Sequence, residues 1–153
     1  MGHQIFRNQA TSTKVLVMLK VLIVEDDFMI ADCLEEILEE AGYDVCGIAS
    51  RVDEAIRKGE EHRPDLAVID LRLAGGGYGT EVASALCVGG GLGVLYVTGN
   101  ADHPMLVDAC GEGCMSKPYS TASILAALRI VTERMSKLTT LSRFPADFRL
   151  LRA

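Results

Sequence analysis

Apolar and polar positions alternate along the chain in short blocks. Residues 19–24 are a β-branched apolar run stopped by Glu25, Asp26 and Asp27, the pattern of a buried strand. Ile30, Leu34, Ile37, Leu38 and Ala41 then recur at helical spacing, with Gly42 where a left-handed cap is wanted. Residues 45–49 read as a short strand, 52–61 as a helix, and 66–69 as another buried strand introduced by Pro64. A glycine cluster at 75–77 leads into a helix over 80–86, and a second at 89–91 precedes a strand over 94–97. A short helix is predicted over 104–110, a brief strand near Cys114 and Met115, and a last helix from the cap Ser120 through Val131.

Five strands alternating with five helices predict an α/β fold, a doubly wound five-stranded parallel sheet with helices on both faces. Right-handed crossovers bring all the strand ends to one edge, where open α/β sheets hold their ligands. The residues that follow the strands there are Glu25, Asp26 and Asp27 after the first, Asp70 after the third, Thr98 after the fourth and Lys117 after the fifth.

Length and composition fit this picture. The 153 residues, 49% hydrophobic and 24% charged, suit one folded domain rather than a disordered or fibrous chain. Residues 1–17 form an N-terminal extension expected to stand outside the fold, 18–136 the domain, and 137–153 a C-terminal tail. A net charge of −6 speaks against a free-standing nucleic-acid binder and for a protein partner. Five scattered cysteines without CxxC spacing suggest reduced thiols and a cytoplasmic protein. Residues 15–24, the most apolar stretch, carry Lys20 and run into acids at about half the length a membrane helix needs. They also lack a signal-peptide cleavage site. His3, His62 and His103 form no cluster and receive no role.

The chemistry lies in the strand-end set. Carboxylates converging from strands about 4.8 Å apart repel, and one takes up a proton unless a cation sits among them. A hard divalent ion such as magnesium, which favours oxygen ligands and retains several waters, resolves the conflict. Taken together, Val21-Leu22-Ile23-Val24-Glu25-Asp26, Val68-Ile69-Asp70, Val97-Thr98-Gly99 and Ser116-Lys117-Pro118 closely resemble the receiver domains of two-component response regulators. The resemblance covers about residues 19 to 135. Each motif alone is weak; their order, spacing and strand context make the set specific.

The resemblance implies a flavodoxin-like sheet of strand order 2-1-3-4-5 and a phosphoacceptor in two-component or phosphorelay signalling. Asp70 is then the residue that takes a phosphoryl group from a histidine kinase or histidine phosphotransfer protein. Asp26 and Asp70 would bind Mg2+, Glu25 would do so through water, and Arg72 would offer its backbone carbonyl. Lys117 and Thr98 would meet the phosphoryl oxygens, and the peptide before Pro118 would be cis. Such a protein is no enzyme with a separate substrate; it promotes its own phosphorylation and dephosphorylation and signals to a downstream protein by contact. Neither nucleic acid nor membrane is a direct partner. Arg72 and Asn100 take the positions that flank the attacking water and so bear on phosphoryl lifetime.

The sequence also departs from the family. Most receivers carry Tyr or Phe three residues before the lysine; here that residue is Cys114. Tyr96-Val97-Thr98-Gly99 resembles in part the Phe-Ala-Thr-Gly motif of an atypical receiver subgroup, which Asn100 and Ala101 do not complete. Asp27 has a plainer reading as a helix cap. The tail is too short for a helix-turn-helix output domain, so a single-domain regulator is expected. Leu138, Leu141, Phe144, Phe148 and Leu151 lie at near-helical intervals interrupted by Pro145, a candidate docking or homodimer segment. Two other readings stay open. One is a haloacid-dehalogenase-type magnesium phosphatase, which wants a second aspartate where Arg72 stands. The other is a receiver-like binding module that works without phosphorylation.

Overall fold

The computed structural model describes residues 18–137 and 143–151. The N-terminal extension and two tail residues of the candidate docking segment, Leu138 and Leu141, lie outside the described residues. Strand β1 (Lys20–Val24) is followed by α1 (Phe28–Glu40), β2 (Asp44–Ala49), α2 (Val52–His62) and β3 (Leu66–Asp70). The chain continues through α3 (Gly79–Leu86), β4 (Gly93–Thr98), β5 (Gly113–Ser116), α4 (Thr121–Met135) and β6 (Phe148–Leu150). The sheet order is β2-β1-β3-β4-β5-β6, with the first five strands parallel and β6 antiparallel to β5.

The period-2 pleat sorts the strand residues between two cores. Val21, Ile23, Val68, Leu95, Val97 and Met115 pack against α1 and α4 through Leu34, Leu38, Ile124 and Leu128. Leu22, Val24, Ala67, Ile69, Val94, Tyr96 and Cys114 face the other way, against Ala55 of α2 and Val82 and Ala83 of α3. Strands buried on both faces have no polar side to show, and this is why they read as unbroken apolar runs. Gly42 takes the left-handed conformation, φ +93°, after α1, as the pattern predicts.

Two expectations are corrected. The helix predicted over 104–110, the fourth of five, is only a single 3-10 turn, Pro104–Leu106, started by His103, whose Nδ1 accepts from the Met105 N–H at 3.2 Å. Only Leu106 and Ala109 are buried there while Val107 is exposed, so too little apolar surface is gained to offset helix nucleation. The five parallel strands stand in the predicted order 2-1-3-4-5, and the described residues add a sixth, antiparallel strand where the sequence predicts only a tail. Phe148-Arg149-Leu150 is too short for its alternation to register in the sequence, and it is held by pairing with β5 and by the burial of Phe148. Phe148 is buried against the α1/α4 core, and the ring of Phe144 meets it edge-on at 5.3 Å. Phe148 and Leu151 therefore belong to a strand and the bend after it, not to a helical stripe.

Candidate functional site

Parallel strands deliver their carboxyl ends to one edge, and the acids sit there. Glu25 directly follows β1 and is 4% exposed, its N–H donating to the Ala49 carbonyl at 2.9 Å. Asp26 is exposed, and Asp70, the last residue of β3, is half-buried. One carboxylate oxygen from each of Glu25, Asp26 and Asp70 lies within 4.8 Å of the others. The start of α3 presses close behind Asp70. A Cβ on Gly79 would stand 2.2 Å from the Asp70 carbonyl oxygen and 2.4 Å from Ile69 Cγ2, so only glycine lets this helix approach. The sequence signal for this residue was weak: a glycine entering a helix after a glycine-rich loop, which composition alone assigns to flexibility.

Lys117 reaches across from the end of β5. Its Nζ lies 2.9 Å from Glu25 Oε2 and 3.1 Å from Asp70 Oδ2, and its backbone N–H donates to the Thr98 carbonyl at 2.9 Å. The Lys117–Pro118 peptide is cis, as expected. Burial pushes the Glu25 carboxyl up to about 7, against the pull of the Lys117 hydrogen bond and with the Asp70 charge adding to the rise. Burial alone would lower the Lys117 ammonium, but the Glu25 hydrogen bond and the Asp70 charge hold it above its ordinary value.

Three carboxylates face one ammonium, which leaves the ionised cluster with a surplus of negative charge. The donor set is all oxygen and partly open to water, a combination that suits a hard divalent cation better than zinc, whose protein sites are built mainly on His and Cys. Glu25, Asp26 and Asp70 are the groups that could hold it.

The remaining predicted residues are placed as follows. Thr98 ends β4 beside Ser116 of β5 and is buried, and its Oγ1 accepts from the Asn100 N–H at 3.1 Å, leaving the hydroxyl proton to donate elsewhere. Arg72 and Asn100 are both exposed at this edge, and Arg72 forms a bridge with Tyr78. Asp27 caps α1, accepting from the Met29 and Ile30 N–H groups at 2.9 and 3.2 Å, the plainer of its two readings. Cys114 is wholly buried. Beside it on β4, Tyr96 is also buried and donates its hydroxyl to the Cys110 carbonyl at 2.6 Å. The aromatic ring nearest the usual switch position is thus fixed in the core.

An open, mostly parallel sheet with acids, a threonine and a lysine gathered at its carboxyl edge is the arrangement expected of a signalling receiver. The comparison with known families agrees: the chain belongs to the response regulator receiver domain family, whose model matches residues 21–129. It is 29% identical over 125 residues to the transcriptional regulatory protein PdtaR of Mycobacterium tuberculosis, covering 80% of this chain and 60% of that protein. It is 28% identical over 111 residues to the phyllosphere-induced regulator PhyR of Methylorubrum extorquens, covering 71% of this chain and 42% of PhyR. The chain thus matches less than two thirds of each of these relatives. Among solved structures, a CheY-like receiver domain protein from Methanospirillum hungatei superposes with a TM-score of 0.71 at 28% identity, over 79% of this chain and 98% of that one. No helix among the described residues is long and apolar enough to cross a membrane.

Proposed function

We propose that Asp70 is the phosphoacceptor of this receiver and that a histidine kinase or histidine phosphotransfer protein supplies the phosphoryl group in the cytoplasm. The observation that carries the proposal is the shared grip of one lysine on two strand-end acids, Glu25 and Asp70, beside a third, Asp26. In the transfer an Asp70 carboxylate oxygen attacks phosphorus, a P–O bond forms, and the P–N bond of the donor's phosphohistidine breaks. The imidazole nitrogen leaves with the electron pair and takes up a proton.

Lys117, already 3.1 Å from Asp70, would neutralise one equatorial phosphoryl oxygen, and the Thr98 hydroxyl would donate to another. Asp26, Asp70 and the Arg72 carbonyl would ligate Mg2+, with Glu25 holding a ligand water. The ion would supply charge neutralisation on the transferring group. Signalling to the next protein is by contact, and Arg72 and Asn100 flank the path of the water that ends the signal.

The test is incubation of the whole chain with acetyl phosphate and Mg2+, followed by intact mass and phosphate release, on wild type and Asp70→Asn. One labile phosphoryl adduct on wild type alone supports the proposal. Rapid multiple turnover of phosphomonoesters would point to a phosphatase. No adduct with any donor or kinase would leave a binding module.

A further inference from the structure

The C-terminal strand bears on how a receiver of this kind reports its state. The Tyr96 hydroxyl is held by its hydrogen bond to the Cys110 carbonyl, and Cys114, three residues before Lys117, offers no ring to swivel. A different connection leads away from the site. The Asn100 N–H holds Thr98 Oγ1, and one residue further on the Ala101 carbonyl accepts from the guanidinium of Arg149, the centre of β6.

Strand β6 closes the free edge of β5. Gly113, Cys114 and Met115 pair with Leu150, Arg149 and Phe148, and the Ser116 N–H donates to the Asp147 carbonyl at 3.1 Å. Past the strand, the Leu151 N–H donates to the Glu112 carbonyl at 3.0 Å. The Phe148 ring fills a slot that exists only because residue 113 is glycine; a Cβ there would stand 2.4 Å from Phe148 Cε2. Under β6, therefore, lie an unpaired strand edge and an aromatic-sized recess, the two elements by which an extended segment docks on a sheet.

We propose that β6 is an autoinhibitory strap, which occupies this docking edge in the unphosphorylated protein and is released on phosphorylation. The proposal rests on the reading of Asp70 as phosphoacceptor. When Thr98 turns its hydroxyl to the phosphoryl group, the loop from Gly99 to His103 moves with it and withdraws the Ala101 carbonyl from Arg149. A three-residue strand that loses the Arg149 hydrogen bond and is left with the packing of Phe148 and its ladder bonds to β5 then detaches more often.

The test is amide exchange followed by NMR on the full chain, read at Ser116 and Leu151, whose N–H groups the strap segment orders, with Ile23 of β1 as the reference. Arg149→Ala without ligand should speed exchange at both amides by about ten-fold or more, the size expected for one charged hydrogen bond, and leave Ile23 unchanged. Unchanged exchange at Ser116 and Leu151 would overturn the strap. Wild type with Mg2+ and beryllofluoride, a phosphoryl mimic, should show the same acceleration. If the Asp70 and Lys117 resonances shift but the two amides do not respond, the coupling is refuted. If beryllofluoride does not shift Asp70 at all, the phosphoacceptor reading fails and the coupling fails with it, while Arg149→Ala still decides whether Arg149 anchors β6.

Discussion

Replacing Lys117 by Met keeps most of the side chain's volume and removes only the ammonium, so it isolates the charge balance at the site. In the metal-free wild type, Glu25 titrates near 7 in the folded protein against 4.5 as its ordinary value. A carboxyl with a raised folded pKa contributes stability that is complete below the unfolded value and lost as pH rises through the folded one. Wild-type stability therefore falls between about pH 4.5 and 7 and then levels, because above 7 Glu25 is ionised and paired with Lys117. Without the ammonium, the buried carboxyl has only Asp26 and Asp70 beside it and keeps its proton to higher pH, so the fall continues. At pH 8 the variant forgoes one pH unit of ionisation, about 1.4 kcal/mol, in addition to whatever constant cost the lost hydrogen bonds carry. For a protein of this size that is a further drop in Tm of about 4 °C between pH 6 and pH 8 relative to wild type. Thermal unfolding followed by circular dichroism in EDTA at the two pH values measures it. A penalty equal at pH 6 and pH 8 would show that Lys117 does not govern the ionisation of Glu25 and would refute the electrostatic account.

Other outcomes follow from the same geometry. Magnesium affinity, measured by calorimetry, should rise about tenfold per pH unit below 7 and flatten above it, because Glu25 must release its proton to solvent before its carboxylate can hold the ion's ligand water; Glu25→Gln should abolish the slope. Gly79→Ala drives a methyl group into the Asp70 carbonyl and should cost about 2 kcal/mol in urea unfolding, with slower phosphorylation by acetyl phosphate. Substituting Arg72 or Asn100 should change the half-life of the phosphorylated protein, read by phosphate release after the phosphodonor is removed. Unaltered lifetimes in both variants would remove these residues from the water path.

How much of this was legible in the sequence depended on how local each cause was. The buried strands announced themselves because both faces are covered, so Val21 to Val24 and Leu66 to Ile69 contain no polar residue, and Asp27 and Gly42 marked the ends of α1 by their cap chemistry. The site residues could be found because parallel crossovers force Glu25, Asp26, Asp70, Thr98 and Lys117 to one edge whatever the loop lengths. What could not be read were features decided by distant partners. Nothing around Phe148 says that it will pair with β5, since the recess it fills is made by Gly113, far away along the chain. The segment after His103 carried a helical pattern but lacked the buried surface to sustain more than one turn. The grip of Lys117 on Glu25 as well as Asp70, and the close approach of Gly79, are likewise long-range matters that spacing does not encode.

The claim that Asp70 takes the phosphoryl group is tested most directly by trapping the bond itself. The whole chain is phosphorylated with acetyl phosphate and Mg2+, reduced with borohydride, which converts an aspartyl phosphate to homoserine, and mapped by peptide mass spectrometry. The account predicts homoserine at position 70 and nowhere else. Homoserine at Asp26 or at another carboxylate, or full recovery of unmodified Asp70 from a phosphorylated chain, would contradict it.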